Sequence, residues 1–264
     1  MDLMLTKKIV AITGPAKGMG EVITRAFADE GARLALLARD AEAVRVLEKE
    51  LRDQGLDVVL VACDITKSDQ CEHAVAHIRK AFGDVPDVLV NVAGGSGPVG
   101  KSGVDTSLEE FEEIVRLNMS GCFNTMRAVL PGMMARHSGK IVNVGGTFGL
   151  RGKAGRMAYS ASKWGLRGIT KSMALEAGPY NININIVAPG MVDGQRFRTK
   201  VCPDMASRLG VSEDEAAQRH AEDYALQRIS TAQDIADACL FMASDRSRQI
   251  TGVDLPVDGG WAAL

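Results

Sequence analysis

A tyrosine and a lysine stand four residues apart, at Tyr159 and Lys163, near the end of the stretch "NVGGTFGLRGKAGRMAYSASK" that begins at Asn143. On a helix that spacing is one turn, so a phenol and an ammonium share a face. A phenol beside a cation can hand its proton to a carbonyl oxygen, because the positive charge favours the phenolate left behind. The same chemistry profits from a hydroxyl that grips the carbonyl oxygen. Where that hydroxyl would stand, the chain has Gly145 and Gly146, and the first hydroxyl after them is Thr147. Along a strand one step reverses the side-chain direction, so Thr147 turns inward only if the backbone bulges. Two adjacent glycines make such a bulge feasible.

Positioning these residues calls for strands that end in loops and helices that begin there. Short apolar runs, rich in β-branched residues, predict strands at Ile9–Thr13, Leu34–Ala38, Val58–Ala62, Val88–Asn91, Ile141–Val144, Ile182–Val187 and Val253–Val257. Between them, apolar spacings near three and four predict helices, among them Met19–Glu30, Ala41–Gln54 and Asp69–Phe82. Near-continuous apolar strands separated by helices predict an α/β fold with a parallel sheet covered on both faces. "NININIV" alternates strictly and reads as one strand with two unlike faces. From Met191 to about Ala225 the sequence turns polar, which predicts a mobile lid over the site rather than a second domain. The 264 residues suffice for a full core and fit one domain.

Composition narrows the function. A formal net charge of −2 offers no basic field, so neither nucleic acid nor an anionic membrane is an expected partner. The opening "MDLMLTKKIVAITG" carries an apolar run too short for a signal or a membrane span, and a cytoplasmic location is expected. Cys63, Cys71, Cys122, Cys202 and Cys239 are odd in number and widely spaced, which predicts buried, reduced thiols. His73 and His77 read as an exposed helix face, and no metal site is expected.

A nucleotide site is legible at the strand ends. "TGPAKGMG" follows the first strand and opens the first helix; Gly14, Gly18 and Gly20 let the backbone, with Met19, approach a pyrophosphate at the helix N-terminus. Asp64 in "CDIT" can accept from an adenine amino group, and "NVAG" (Asn91–Gly94) offers small residues as a wall for a flat cofactor. The second strand ends at Ala38 and Arg39, with no carboxylate at its tip, and Lys17 projects from the glycine loop. Two cations suit a 2′-phosphate, so NADP is favoured over NAD. Asp40 is the countervailing residue, since a small shift in register would bring it to the ribose.

In this order, TGxxxGxG, NxAG, YxxxK, "VAPG" at Val187–Gly190 and the closing "VDGGW" resemble the short-chain dehydrogenase/reductase family over essentially the whole chain. The resemblance implies a doubly wound, seven-stranded parallel sheet of Rossmann type, a nicotinamide cofactor, and a homotetramer or homodimer. It implies that Tyr159 is the proton donor and that Lys163 assists it and binds the nicotinamide ribose. Asn118 in "RLNMSG" maps to the residue that orders a relay water. Asp64, Ile65, Asn91, Ala93 and Gly94 map to the adenosine side, and Pro189, Gly190 and Val192 to the nicotinamide side. The family's substrate-binding serine falls at Gly146, thirteen residues before Tyr159. Either Thr147 substitutes, or the substrate brings its own hydrogen bonds, or catalysis is weak. Gly194 is a second departure, where relatives commonly place a hydroxyl.

The lid and tail resemble D-3-hydroxybutyrate dehydrogenases. That likeness puts Arg156 where a lysine grips the substrate carboxylate and Trp261 where an aromatic lines the pocket, while Ser96 and Phe148 replace polar anchors. The leading expectation is hydride transfer between NADP(H) and a small carbonyl or secondary alcohol carrying an anionic group. Arg196, Arg198 and Lys200 add charge near the mouth, as substrate contacts or as a solvated face. Two alternatives stand beside it. A 3-oxoacyl-acyl-carrier-protein reductase is opposed by Pro131 and Tyr180, where such enzymes carry docking bases. A non-catalytic NADP-binding sensor or scaffold is supported by the missing serine and opposed by the intact Asn118, Tyr159 and Lys163.

Overall fold

In the computed structural model, which describes residues 2–263, seven strands form one parallel sheet in the order β3-β2-β1-β4-β5-β6-β7. Met1 and Leu264 lie outside the described residues. The strands are β1 (Ile9–Thr13), β2 (Arg33–Ala38), β3 (Val58–Ala62), β4 (Val88–Asn91), β5 (Gly139–Val144), β6 (Ile182–Pro189) and β7 (Asp254–Val257). Each falls where an apolar run predicts it: β1, β3 and β4 coincide with the expected runs, and the other four have an end shifted by one or two residues.

Alternation along β1 shows why both faces are apolar. Val10 and Ile12 join one core with Ile23 and Phe27 of α1 (Met19–Asp29), Leu47 and Leu51 of α2 (Arg45–Asp53), and Ile235 of the C-terminal helix Ala232–Ala243. Ile9 and Ala11 join the other, with Ile78 of α3 (Ser68–Phe82) and Met126, Leu130 and Met133 of α5 (Gly121–Ala135). The strands are therefore covered on both sides and can afford no polar face.

Polar strand residues occur only where they tie segments together. In "NININIV", Ile182 and Ile184 enter the second core. Asn183 Nδ2 donates to the carbonyls of Arg248 (3.0 Å) and Ile250 (2.9 Å), and Asn185 Oδ1 accepts from Val253 N at 3.1 Å. The two asparagines pin the approach to β7.

One helix expectation is corrected. Over 41–54 a short 3₁₀ turn, Glu42–Val44, precedes α2, with Asp40 Oδ1 accepting from Ala43 N at 3.3 Å. The polar stretch after Met191 is a folded helical pair: a wide turn at Phe197–Val201, α7 (Cys202–Leu209) and α8 (Glu213–Glu222). Phe197, Cys202, Ala206 and Ala216 are buried and seat it, too few apolar residues to stand out in a charged sequence.

α4 (Leu108–Val115) starts with a capping box between Ser107 and Glu110 and runs through a π-turn, Arg116–Ser120, into α5. Asn118 sits in that π-turn, a geometry often associated with functional sites. α6 (Met157–Ala177) carries Tyr159 and Lys163 in its first two turns. The final helix is α9.

Candidate functional site

The strand order reverses between β1 and β4, so their connections leave in opposite directions and open a crevice at the carboxyl ends. Thr13, unremarked in the sequence, closes the floor of that crevice: its hydroxyl accepts from Val92 N and Ala93 N, each at 3.1 Å. A Cβ at Gly14 would lie 2.8 Å from Ala93 Cα, and one at Gly20 would overlap the Gly14 carbonyl oxygen. Gly18 has φ +58° and open space around it, and α1 has no side-chain cap. The first N–H groups of α1 are thus presented to an incoming anion. Met19 begins the helix, with exposed Lys17 beside it. These residues fit the pyrophosphate of a dinucleotide.

At the adenosine end, Asp64 Oδ1 accepts from Thr66 N (3.0 Å) and Thr66 Oγ1 (2.8 Å). Burial alone would raise its carboxyl, but these bonds and the charges of Arg39 and Lys67 hold it lower overall. Ile65 is buried beneath this loop. Arg39 is exposed at the tip of β2, while Asp40 is engaged in capping its own turn. Asn91 is placed differently from its assigned neighbours. Its side chain points into the core, donating to Asn143 Oδ1 at 2.9 Å and accepting from Thr125 Oγ1 at 2.8 Å, so only its backbone borders the crevice. On the opposite side, Pro189 is buried, Gly190 N donates to Val257 O (3.1 Å), and Val192 bridges to Ser230. Gly194 is exposed, with open space where a Cβ would stand.

Asn118, Tyr159 and Lys163 converge at the mouth. Lys163, 6% exposed, donates from Nζ to Val144 O at 2.9 Å, and Nζ lies 5.8 Å from the Tyr159 ring centre. Asn118 is wholly buried: Nδ2 donates to Gly95 O and Ser162 Oγ, each at 3.0 Å, and Oδ1 accepts from Gly95 N at 2.7 Å. Ser162 Oγ in turn donates to Tyr159 O at 2.7 Å, which fastens the π-turn to the catalytic helix. A Cβ at Gly94 would stand 2.9 Å from Asn118 Oδ1 and 3.9 Å from Lys163 Nζ, so a side chain there would crowd both.

The glycine pair resolves into a turn rather than a bulge. Gly145 N still pairs with Val187 O at 2.7 Å, Gly146 is extended, and Thr147 opens a 3₁₀ turn, Thr147–Gly149. Thr147 is buried, and among the described residues no hydrogen bond joins its hydroxyl to Tyr159. A Cβ at Gly146 would fall 2.6 Å from Tyr159 Oη. The phenol therefore occupies space that any larger residue would contest. Gly146→Ala is expected to lower kcat about tenfold by displacing the phenol, and Gly146→Ser to recover part of that loss through its hydroxyl. Comparing kcat for the two variants checks this; an alanine variant as fast as the parent would contradict it.

Above Tyr159 lies an aromatic and cationic wall. Phe148 meets Tyr159 edge-on at 6.2 Å and Trp261 at 5.4 Å between ring centres. Arg156 is 9% exposed, its guanidinium 4.8 Å from the Tyr159 ring centre and 5.8 Å from that of Phe148. Its Nε and Nη1 are buried and have no hydrogen-bond partner. Ser96 is half-buried on the loop after β4. His220 and Tyr224, missed in the sequence, hold the helical pair in place. His220 packs on Phe197 (5.4 Å) and Tyr224 (5.8 Å), and Tyr224 Oη accepts from Met191 N at 3.1 Å. Both lie in a charged stretch with no periodic signal to mark them. All five cysteines are buried and free, and among the described residues no cluster could hold a metal ion.

A family profile described as enoyl-(acyl carrier protein) reductase matches residues 14–262. The chain is 33% identical to the trans-4-hydroxycyclohexanecarboxylate dehydrogenase of Sinomonas cyclohexanicum, over 98% of this chain and 94% of that protein. It is 32% identical to a 3-oxoacyl-acyl-carrier-protein reductase of Chlamydia muridarum, over 99% of this chain and all of that protein. The crystal structure of NAD⁺-bound xylitol dehydrogenase superposes with a TM-score of 0.89 at 26% identity, covering 97% of this chain and all of the other. The chain belongs to the short-chain dehydrogenase/reductase family. It is an NAD(P)-dependent oxidoreductase acting on CH–OH groups and their carbonyl counterparts. No helix among the described residues is long and apolar enough to cross a membrane.

Proposed function

We propose that this enzyme transfers hydride between NADP(H) and a small ketone or secondary alcohol that carries an anionic group. The observation that carries the reading is Arg156: a residue nine-tenths buried, its guanidinium lacking hydrogen-bond partners at the buried Nε and Nη1 and packed on the ring of Tyr159. Burying a charge without a partner is costly, and a bound anion would relieve that cost. The 4-hydroxycyclohexanecarboxylate relative acts on a hydroxyl compound with a carboxylate, which agrees with it.

When bound, the dinucleotide supplies or accepts the hydride at its nicotinamide ring. Gly14, Gly18, Met19 and Gly20 hold the pyrophosphate; Asp64, Ile65, Ala93 and Gly94 border the adenosine; Pro189, Gly190 and Val192 border the nicotinamide. Among the described residues no ion pair engages Arg39 or Lys17, and Asp40 is committed to its turn, which together favour a 2′-phosphate over a bare ribose. Tyr159 gives its proton to the carbonyl oxygen on reduction and takes it back on oxidation. Lys163 steadies the phenolate by charge and contacts the nicotinamide ribose. Asn118 holds the Gly95 backbone beside them and orders a relay water. Arg156 orients the substrate, and Phe148, Ser96 and Trp261 line its pocket, with Thr147 the nearest hydroxyl to the missing serine.

A second reading, reduction of carrier-bound 3-oxoacyl chains, is favoured by the Chlamydia relative. An acyl chain laid along a buried, unpaired guanidinium would lose rather than gain from the contact. Pro131 and Tyr180 also stand where docking bases are wanted. The first reading takes the enzyme to be cytoplasmic and to assemble as a homotetramer or homodimer through α5 and α6, where Phe123 and Trp164 are 41% and 49% exposed.

The test is oxidation of NADPH, with NADH in parallel, against small ketones with and without a carboxylate or sulfonate. Turnover confined to the anionic members is expected, with NADPH preferred by about tenfold or more and Arg39→Asp reversing that preference. Equal turnover of neutral ketones would overturn the anionic substrate, and a preference for NADH would overturn the choice of dinucleotide.

A further inference from the structure

Strand β6 ends at Pro189, and the backbone that follows passes Tyr224, a residue 4% exposed just beyond the end of α8. The phenol oxygen of Tyr224 accepts from Met191 N at 3.1 Å. Its ring fills the space that two glycines leave. A Cβ at Gly190 would lie 3.3 Å from Tyr224 Cε1, and one at Gly259 would lie 3.5 Å from Cδ1. The chain after Tyr224 continues the grip. Ser230 N donates to Met191 O at 3.1 Å and Asp193 N donates to Ser230 O at 2.8 Å, which makes Val192 and Ser230 a parallel pair. Leu226 N donates to Gly259 O at 3.0 Å, so the same segment is also fastened to the turn after β7.

Peptide groups alternate in direction along extended backbone. Met191 N, Met191 O and Asp193 N are all bonded to residues of the 224–230 segment, so the N–H and C=O of Val192 between them are directed the opposite way. Ser230 stands on the β7 side, where its Oγ donates to Val257 O at 3.0 Å. Val192 therefore opens to the β5 side, toward the crevice, and among the described residues no hydrogen bond engages its N–H.

We propose that Tyr224 is a positioning residue for hydride transfer: by holding Met191 N, its hydroxyl fixes the direction of the Val192 peptide toward the nicotinamide end of the dinucleotide. The proposal rests on the reading that Pro189, Gly190 and Val192 border the nicotinamide. Without the phenol oxygen, Met191 N loses its acceptor and its peptide turns to find another. Val192, one residue on, turns with it. The adenosine end lies beyond β1, at Asp64 and Ile65, and shares no bond with Tyr224, so the effect is confined to one half of the dinucleotide.

NADPH and 2′-phospho-ADP-ribose differ in the nicotinamide ring, so the ratio of their dissociation constants reads that end alone. The unphosphorylated pair, NADH and ADP-ribose, serves in the same way if NADH is the tighter ligand. Titration calorimetry of both with the parent protein is expected to favour the dinucleotide by about tenfold or more. Tyr224→Phe keeps the ring between Gly190 and Gly259 and removes only the oxygen. It should weaken the dinucleotide about five- to tenfold while leaving the fragment within about twofold. Ser230→Ala removes the side-chain bond to Val257 O and keeps both backbone bonds beside Val192, so it should hold the ratio within about twofold of the parent. A ratio unchanged by Tyr224→Phe overturns the role of Tyr224 and leaves the nicotinamide assignment standing. Equal affinity of the two ligands in the parent overturns that assignment and the proposal with it. Equal weakening of both ligands in Tyr224→Phe, or the same loss of ratio in Ser230→Ala, means general loosening of the segment and also overturns the proposal.

Discussion

Tyr159→Phe lowers kcat/KM for ketone reduction by about 10²–10⁴ and leaves the affinity for the dinucleotide within about twofold. The substitution removes one oxygen and keeps the ring. Contacts of that ring with Arg156 at 4.8 Å and Phe148 at 6.2 Å survive, so the pocket wall and the substrate anchor are retained. Lys163 also stays in place, since its Nζ is held by the carbonyl of Val144 rather than by the phenol. What is lost is the proton source at the carbonyl oxygen, and with Gly146 in place of a hydroxyl no neighbouring side chain substitutes. The contrast is Lys163→Met, which removes both a cation and a backbone tie and should weaken turnover and cofactor binding together. Steady-state rates with NADPH and the best anionic ketone, paired with a fluorescence titration of NADPH, separate the two. A Tyr159→Phe variant within tenfold of the parent would assign the proton to another group.

How much of this was legible in the residues depended on whether the signal was local. β1, β3 and β4 were placed to the residue because apolar runs bounded by glycine, asparagine or charge have one simple reading. The glycine loop and the Tyr159–Lys163 pair were legible because each is set by spacing along one element. The helical pair after Met191 was not, since a handful of buried residues seats a highly charged stretch. At Gly145–Gly146 the residues left a bulge feasible without deciding it, because the geometry there depends on the neighbouring strand, through the bond from Gly145 N to Val187 O. Arg156 was placed near the phenol by its spacing, but that its guanidinium lacks partners at Nε and Nη1 is a property of the whole pocket. Arg196 and Arg198 look alike in sequence, and only the fold reveals that Asp193 claims one of them.

Asn91 shows the same limit from within the core, and its replacement should cost stability rather than function. The side chain is 1% exposed and belongs to a buried polar chain: Thr125 donates to Asn91, Asn91 to Asn143, and Asn143 to Thr170, at 2.8, 2.9 and 2.9 Å. Asn91→Ala would leave Asn143 Oδ1 without its donor in a site with no access to water, and would open a small cavity between β4 and β5. The Thr125 hydroxyl keeps its second acceptor, Cys122 O at 2.8 Å, so it adds little to the loss. One unsatisfied buried acceptor and a modest cavity amount to about 3 kcal/mol. For a chain of this size that corresponds to a fall of about 6–12 °C in Tm. A calorimetric or circular-dichroism melt checks it. Below the transition, the dissociation constant for NADPH should stay within about twofold of the parent, because Asn91 presents only backbone to the crevice. A variant that melts normally but binds the dinucleotide poorly would mean that the side chain turns outward to the cofactor. The double variant with Asn143→Val distinguishes a network from two independent losses. Removing both partners leaves fewer orphaned groups than the single changes imply, so the combined destabilisation should fall short of their sum by about 0.5–3 kcal/mol.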